Sequence, residues 1–180
     1  MFKISDRLIE LRVENKRLKE QISNLENKIL SLVGMVDIES SGGEKKNVLN
    51  DSLINLINST KDQLNVVAPH IDSFYAKELK RTVDRGIPVL LITNDRSIIP
   101  KSFISIYDDL KNVQGISIIN NPNVKFLLVF NTEQAIYSGG SLDREELSKS
   151  ILIVTKIKEK SKLRLVAEIF SLMLPTFMRK

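Results

Sequence analysis

The chain has 180 residues, 42% of them hydrophobic, enough for one core of ordinary size plus an extension. Its 27 Lys and Arg against 22 Asp and Glu leave a net charge of +5, which mildly favours an acidic partner such as nucleic acid. The absence of cysteine excludes disulfides and thiolate metal sites and fits a reducing cytoplasm, the single histidine excludes a histidine-rich metal centre, and no run of about 18 apolar residues is present to cross a membrane.

From the N-terminus, Ile4, Leu8, Leu11, Leu18, Ile22, Leu25, Ile29 and Leu32 recur in alternating steps of four and three, with Asn15 in the one polar slot. This is heptad spacing. Leu8, Asn15, Ile22 and Ile29 fall at position a, and Ile4, Leu11, Leu18, Leu25 and Leu32 at position d. Leu at d with Ile at a favours two strands, and a lone Asn at a fixes a parallel, aligned register, because any other pairing buries its amide unsatisfied. The e and g positions are Ser5, Arg7, Arg12, Glu14, Lys19, Gln21, Glu26 and Lys28, too polar for the wider stripe of a helix packed on its own domain. Residues 1–36 are therefore expected to be a coiled-coil dimerisation helix. Gly34 weakens the helix, and the run Ser40 to Lys46 reads as a flexible linker over 37–47.

The globular part is expected over 48–180. Val48 to Ile57 follows helical spacing, and Leu64 to Ala68 is a short buried strand ended by Pro69. A helix from Phe74 to Arg85 closes at Gly86, and Ile87 to Thr93 is a second buried strand, giving a β-α-β unit. Ser102 to Lys111 is a further helix. Gly115 to Ile119, Lys125 to Phe130, Gln134 to Tyr137 and Ser150 to Thr155 are strand-like, and Lys160 to Phe177 has the spacing of a last helix. The expected class is α/β (α+β): a mixed sheet with helices on its faces.

The run Leu64-Asn-Val-Val-Ala-Pro-His70, the run Arg85-Gly-Ile-Pro-Val-Leu-Leu-Ile92, and Lys125 followed by a hydrophobic strand and Gly139-Gly-Ser141 resemble one half of the phospholipase D superfamily over about residues 50 to 160. Its phosphodiesterase motif is His-x-Lys-x-x-x-x-Asp followed by Gly-Ser. Aligned on Lys125, the motif's nucleophilic His falls on Asn123 and its Asp on Phe130. An amide is no nucleophile for phosphorus and a phenyl ring cannot orient an imidazole, so the resemblance implies a degenerate domain without catalytic residues. Lys125 and Ser141, with the amides of Gly139 and Gly140, are then implied to hold an anion without cleaving it. A tight glycine turn and a snorkelling lysine are the alternative.

His70 follows the first strand of the β-α-β unit, where α/β sites form, so it is a candidate for a structural position, for lining the same cleft or binding a ligand there, or for substituting as the catalytic imidazole. Asp143 either meets a ligand or caps a helix at Glu146. The candidate cleft is thus His70, Asn123, Lys125, Gly140, Ser141 and Asp143. Lys156, Lys158, Lys160, Lys162 and Arg164 form a basic stretch that either follows a phosphate backbone or is a solvated corner.

A degenerate phospholipase D-like domain behind a coiled-coil helix resembles the archaeal TrmB-type transcription regulators, whose domain senses a small ligand such as a sugar. No winged helix precedes Ile4, so sequence-specific DNA binding through such a unit is not expected. The implied protein is a homodimer that binds a small anionic or sugar ligand, or a protein partner, in a regulatory role, with a nucleic-acid-binding dimer or a phospholipase D-type phosphodiesterase or nuclease with an atypical site as the alternatives, and with no cofactor, metal or membrane expected.

Overall fold

The computed structural model describes the backbone of residues 2–33, 36–45 and 47–179. Gly34, Lys46 and the side chains of Ile4, Leu8 and Leu32 lie outside the described residues. The contacts divide the chain between residues 35 and 36 into two units.

The first unit is the helix α1, Phe2–Val33, 32 residues and so roughly 48 Å long. Leu11, Leu18, Ile22, Leu25 and Ile29 are each at least half exposed along it.

The second unit is built on one seven-stranded sheet in the order β1-β7-β6-β5-β2-β3-β4. The strands are β1 (Val36–Ser41), β2 (Leu64–Ala68), β3 (Val89–Thr93), β4 (Ile116–Asn120), β5 (Leu127–Phe130), β6 (Ala135–Ser138) and β7 (Leu152–Ile157). Between them run α2 (Val48–Ser59), α3 (Ser73–Asp84), α4 (Ile104–Lys111), α5 (Arg144–Lys149) and α6 (Lys160–Leu172). β2, β3 and β4 are parallel, whereas β5, β6, β7 and β1 pair antiparallel in turn. The expected mixed sheet with helices on its faces is therefore observed.

Strand alternation creates two cores. Leu64, Val66 and Ala68 of β2 face a large cluster with Leu49, Leu53 and Leu56 of α2, Tyr75 and Leu79 of α3, and Leu147 of α5. Val67 and Ile92 face a smaller one with Val124, Leu128, Phe130 and the α6 residues Leu163 and Phe170.

Two boundaries differ from expectation. The flexible linker over 37–47 is in part a strand: β1 pairs with β7 across six positions, and Gly42 bridges Lys45 in a turn. The Ser-Ser-Gly-Gly composition suggested mobility, but backbone pairing to β7 holds the segment, and the Ser41 hydroxyl accepts from the Leu49 amide to cap α2. The last helix stops at Leu172 rather than Phe177, because Pro175 disfavours helical dihedrals at Leu174, and a 3-10 turn at Thr176–Met178 follows.

Gly42 needs its missing side chain. Its φ is +101°, and a Cβ there lies 2.2 Å from the Ser150 carbonyl oxygen, whereas Gly43, at φ +61°, meets nothing within 4 Å. Gly42→Ala is expected to cost about 2 kcal/mol and Gly43→Ala about 1 kcal/mol, the difference being the clash with rigid backbone. Urea unfolding of the two variants checks the order; equal losses would show that the turn yields.

Candidate functional site

β5 sets the position of the site by starting late. Its neighbours β2 and β6 run parallel to each other on either side of it, and beyond Leu127 the chains leaving them meet directly. Ile71 bridges Leu142, the Leu142 amide donates to the His70 carbonyl at 3.1 Å, and the Asp72 amide donates to the Leu142 carbonyl at 3.0 Å. This short parallel bridge brings His70 to Ser141.

The imidazole is held on three sides. Its Nδ1 lies 3.0 Å from the Ser141 hydroxyl, and Phe103 stacks against the ring with centroids 4.3 Å apart. On the third side, Nε2 lies 3.9 Å from Asp143 Oδ2 and 3.7 Å from Glu146 Oε2. The side chains of His70, Asp143 and Glu146 are 17%, 16% and 36% exposed, so the group sits at the surface but is well walled.

The carboxylates are placed by α5. Asp143 caps this helix through Oδ1, which accepts from the amides of Glu145 and Glu146, as the capping reading of Asp143 expected, and this leaves Oδ2 turned to the imidazole. Glu146 stands one turn on. Gly140, at φ +83°, gives it room, since a Cβ there lies 3.1 Å from Glu146 Oε1.

Behind α5 a buried polar frame fixes the helix. Asn50, 2% exposed, donates through Nδ2 to the Arg144 carbonyl at 3.1 Å and to the Ser148 hydroxyl at 2.9 Å. Its Oδ1 accepts from the Tyr75 hydroxyl at 2.6 Å. Burial raises the Tyr75 phenol above its ordinary pKa, with nearby Asp72 adding, so it stays a donor. Asp72 caps α3 through the Tyr75 amide and also accepts from the Arg144 amide, while the Arg144 guanidinium lies over the Phe74 ring.

His70, Ser141 and Asp143 are thus brought together from the six positions read in the sequence, with Gly140 alongside. Asn123 and Lys125 lie at the same end of the sheet, ahead of β5, and both are exposed. No hydrogen bond or ion pair among the described residues joins either to the His70 group. Val124, between them, packs into the smaller core, whereas Ile71 and Leu142 belong to the larger. The approach to β5 therefore follows the other face of the sheet.

Glu146 and Asn50 are the residues that sequence reasoning missed. Glu146 had been assigned only a backbone amide to be capped, and Asn50 is a polar break between the apolar residues Leu49 and Leu53.

The basic stretch is not one surface. Lys156 pairs with Glu39 across the β1–β7 edge, and residues two apart on α6 point to nearly opposite sides, so Lys160 and Arg164 share a face that Lys162 does not. Those two line an open cavity of about 420 Å³ with Gln63, Asn65, Asn131 and Thr132, at the sheet end opposite His70.

Ser141 is only 4% exposed, and both carboxylates stand beyond hydrogen-bonding distance of the imidazole.

The fold is that of the phospholipase D-like proteins. The chain is similar to NucT from Helicobacter pylori, at 12% identity and a TM-score of 0.63, covering 77% of this chain and 95% of that one. It is similarly close to Nuc from Salmonella typhimurium, a phospholipase D family member, at 12% identity and a TM-score of 0.64, with 77% and 93% of the two chains covered. A third structure, TrmBL2, an archaeal chromatin protein with a novel mode of DNA binding, matches at 14% identity and a TM-score of 0.55 over 93% of this chain and 65% of that one. Both resemblances read from the sequence are borne out at the level of fold. By sequence, no family profile and no curated protein matches. Among the described residues no helix is long and apolar enough to cross a membrane.

Proposed function

We propose that the chain is a non-catalytic homodimeric module of the cytoplasm, regulatory in role, in which residues 1–36 form a parallel coiled coil and the sheet domain binds a small anionic or sugar ligand or a protein partner. The observation that carries this reading is Phe130. At the motif position where a phosphodiesterase needs a carboxylate, this chain has a phenyl ring 5% exposed, packed edge-to-face on Phe170 at 5.1 Å. Core packing and charge cannot share one position, and Asn123 supplies no nucleophile 7 residues earlier.

Lys125 offers an exposed cation ahead of β5, apart from the His70 group, and is the candidate contact for an anion. Glucose 6-phosphate is the probe, with glucose as the uncharged control. Lys125→Ala is expected to weaken its binding about tenfold, the worth of one charge-assisted contact. Equal affinities in calorimetry remove the contact. Turnover of bis(p-nitrophenyl) phosphate that disappears in His70→Ala would overturn the non-catalytic reading itself.

A second reading, a nucleic-acid-binding dimer, is favoured by one observation: the likeness to TrmBL2, whose description names DNA binding, extends over 93% of this chain. It requires gel-shift affinity that falls steeply with salt. Indifference to DNA and RNA at low salt ends it.

A further inference from the structure

We infer that His70, Asp143 and Glu146 form a binding site for a borderline divalent transition ion, with Zn2+ as its test case. The inference departs from the expectation of no metal and does not rest on the non-catalytic reading.

The distances decide it. Nε2 of His70 stands 3.9 Å from Asp143 Oδ2 and 3.7 Å from Glu146 Oε2, and the three donor atoms lie within 4.8 Å of one another. These gaps are too long for direct hydrogen bonds. Ligand atoms about 2.1 Å from one shared ion are separated by roughly 3.4 Å in a tetrahedron, so the imidazole needs to close on each carboxylate by only a few tenths of an ångström, and the two carboxylates on each other by at most on the order of an ångström. One imidazole and two carboxylates suit zinc and its neighbours, whereas calcium and magnesium take all-oxygen shells.

The surroundings are those of a built ligand set. A metal-bound imidazole donates its other N–H to an oriented acceptor, and here Nδ1 faces the buried Ser141 hydroxyl at 3.0 Å. With its N–H on Nδ1 the ring turns an Nε2 lone pair to the two carboxylates, the tautomer in which all three groups can ligate one ion; with the N–H on Nε2 it faces them as a donor instead, and the zinc titration separates the two. Phe103 fixes the ring plane, and Asp143 has spent Oδ1 on the α5 amides, so its remaining oxygen is pre-aimed. Gly140 leaves space for Glu146, as any side chain there would press on Oε1. The partly exposed Glu146 leaves a side open to a water as the fourth ligand.

The full chain, stripped with a chelator and dialysed, is titrated with ZnCl2 against a chromophoric zinc indicator, with circular dichroism confirming the fold of each variant. One zinc per chain is expected, undisturbed by millimolar Mg2+ or Ca2+. His70→Gln and Glu146→Gln are expected to weaken it at least thirtyfold, and Ser141→Ala about tenfold, as for lost outer-shell partners. Glu145→Gln, which alters only the exposed partner of Lys149, leaves it unchanged. No zinc bound at 100 µM, or equal affinities for the wild type and His70→Gln, overturns the site in favour of an imidazolium paired with two carboxylates. A loss in Glu145→Gln as large as in Glu146→Gln overturns it in favour of diffuse surface charge.

Discussion

Replacing Leu18 and Leu25 together by Lys is expected to convert the proposed coiled-coil dimer to a monomer. Both residues are at least half exposed on α1 and occupy successive d positions, so in a two-stranded coil the double variant buries four ammonium groups in the seam. Each wild-type Leu contributes about 1.5 to 3 kcal/mol on burial, and a buried unpaired charge costs more than that gain. Sedimentation equilibrium at micromolar concentration is expected to give twice the chain mass for the wild type and the chain mass for the variant. The sheet domain has its own two cores, so its near-ultraviolet dichroism stays unchanged. A wild-type chain that is already monomeric at high concentration refutes the coiled coil.

Asn50→Ala is expected to cost the sheet domain about 3 to 4 kcal/mol. Three hydrogen bonds end on this one buried amide, and its removal strands the Tyr75 hydroxyl, while the Arg144 carbonyl keeps only the Ser148 hydroxyl outside the helix. For a domain of this size the loss lowers Tm by roughly 10 °C. Tyr75→Phe removes only one of the three bonds and is expected to cost about a third as much. If the two variants unfold together, the amide is not the hub of the frame. Because Asn50 grips the first turn of α5 through the Arg144 carbonyl, the same variant loosens the helix that carries Glu146.

The β-α-β half of the sheet was legible because its signals are local. Leu64 to Ala68 is apolar but for Asn65 and Val89 to Ile92 is an unbroken apolar run, and Pro69 and Gly86 mark where a strand and a helix end. β1 was hidden because Val36-Asp37-Ile38-Glu39 alternates for only four residues before Ser-Ser-Gly-Gly, and what makes it a strand is β7, far along the chain.

The site divided in the same way. His70 and Ser141 were each picked out, one by its place after a strand and the other by the Gly-Gly-Ser run, but nothing local says that they touch. Their meeting depends on the short start of β5, which lets the flanking chains bridge across it. Lys125 was grouped with Ser141 through a sequence motif, and motif spacing does not say which face of the sheet each residue approaches. Glu146 drew no notice because an exposed-looking helix residue acquires meaning only from the imidazole opposite it.

The pairing of β1 with β7 also imposes an order on folding. Val36 pairs with Ile157, 121 positions later, so at a synthesis rate of about 5 to 20 residues per second the first strand waits on the order of ten seconds for its neighbour. Throughout that interval a nascent edge carrying the apolar Ile38 is a template for pairing with any other extended chain. The β1 edge of the sheet can close only once the seventh strand has been made, whatever the order in which the parallel half assembles.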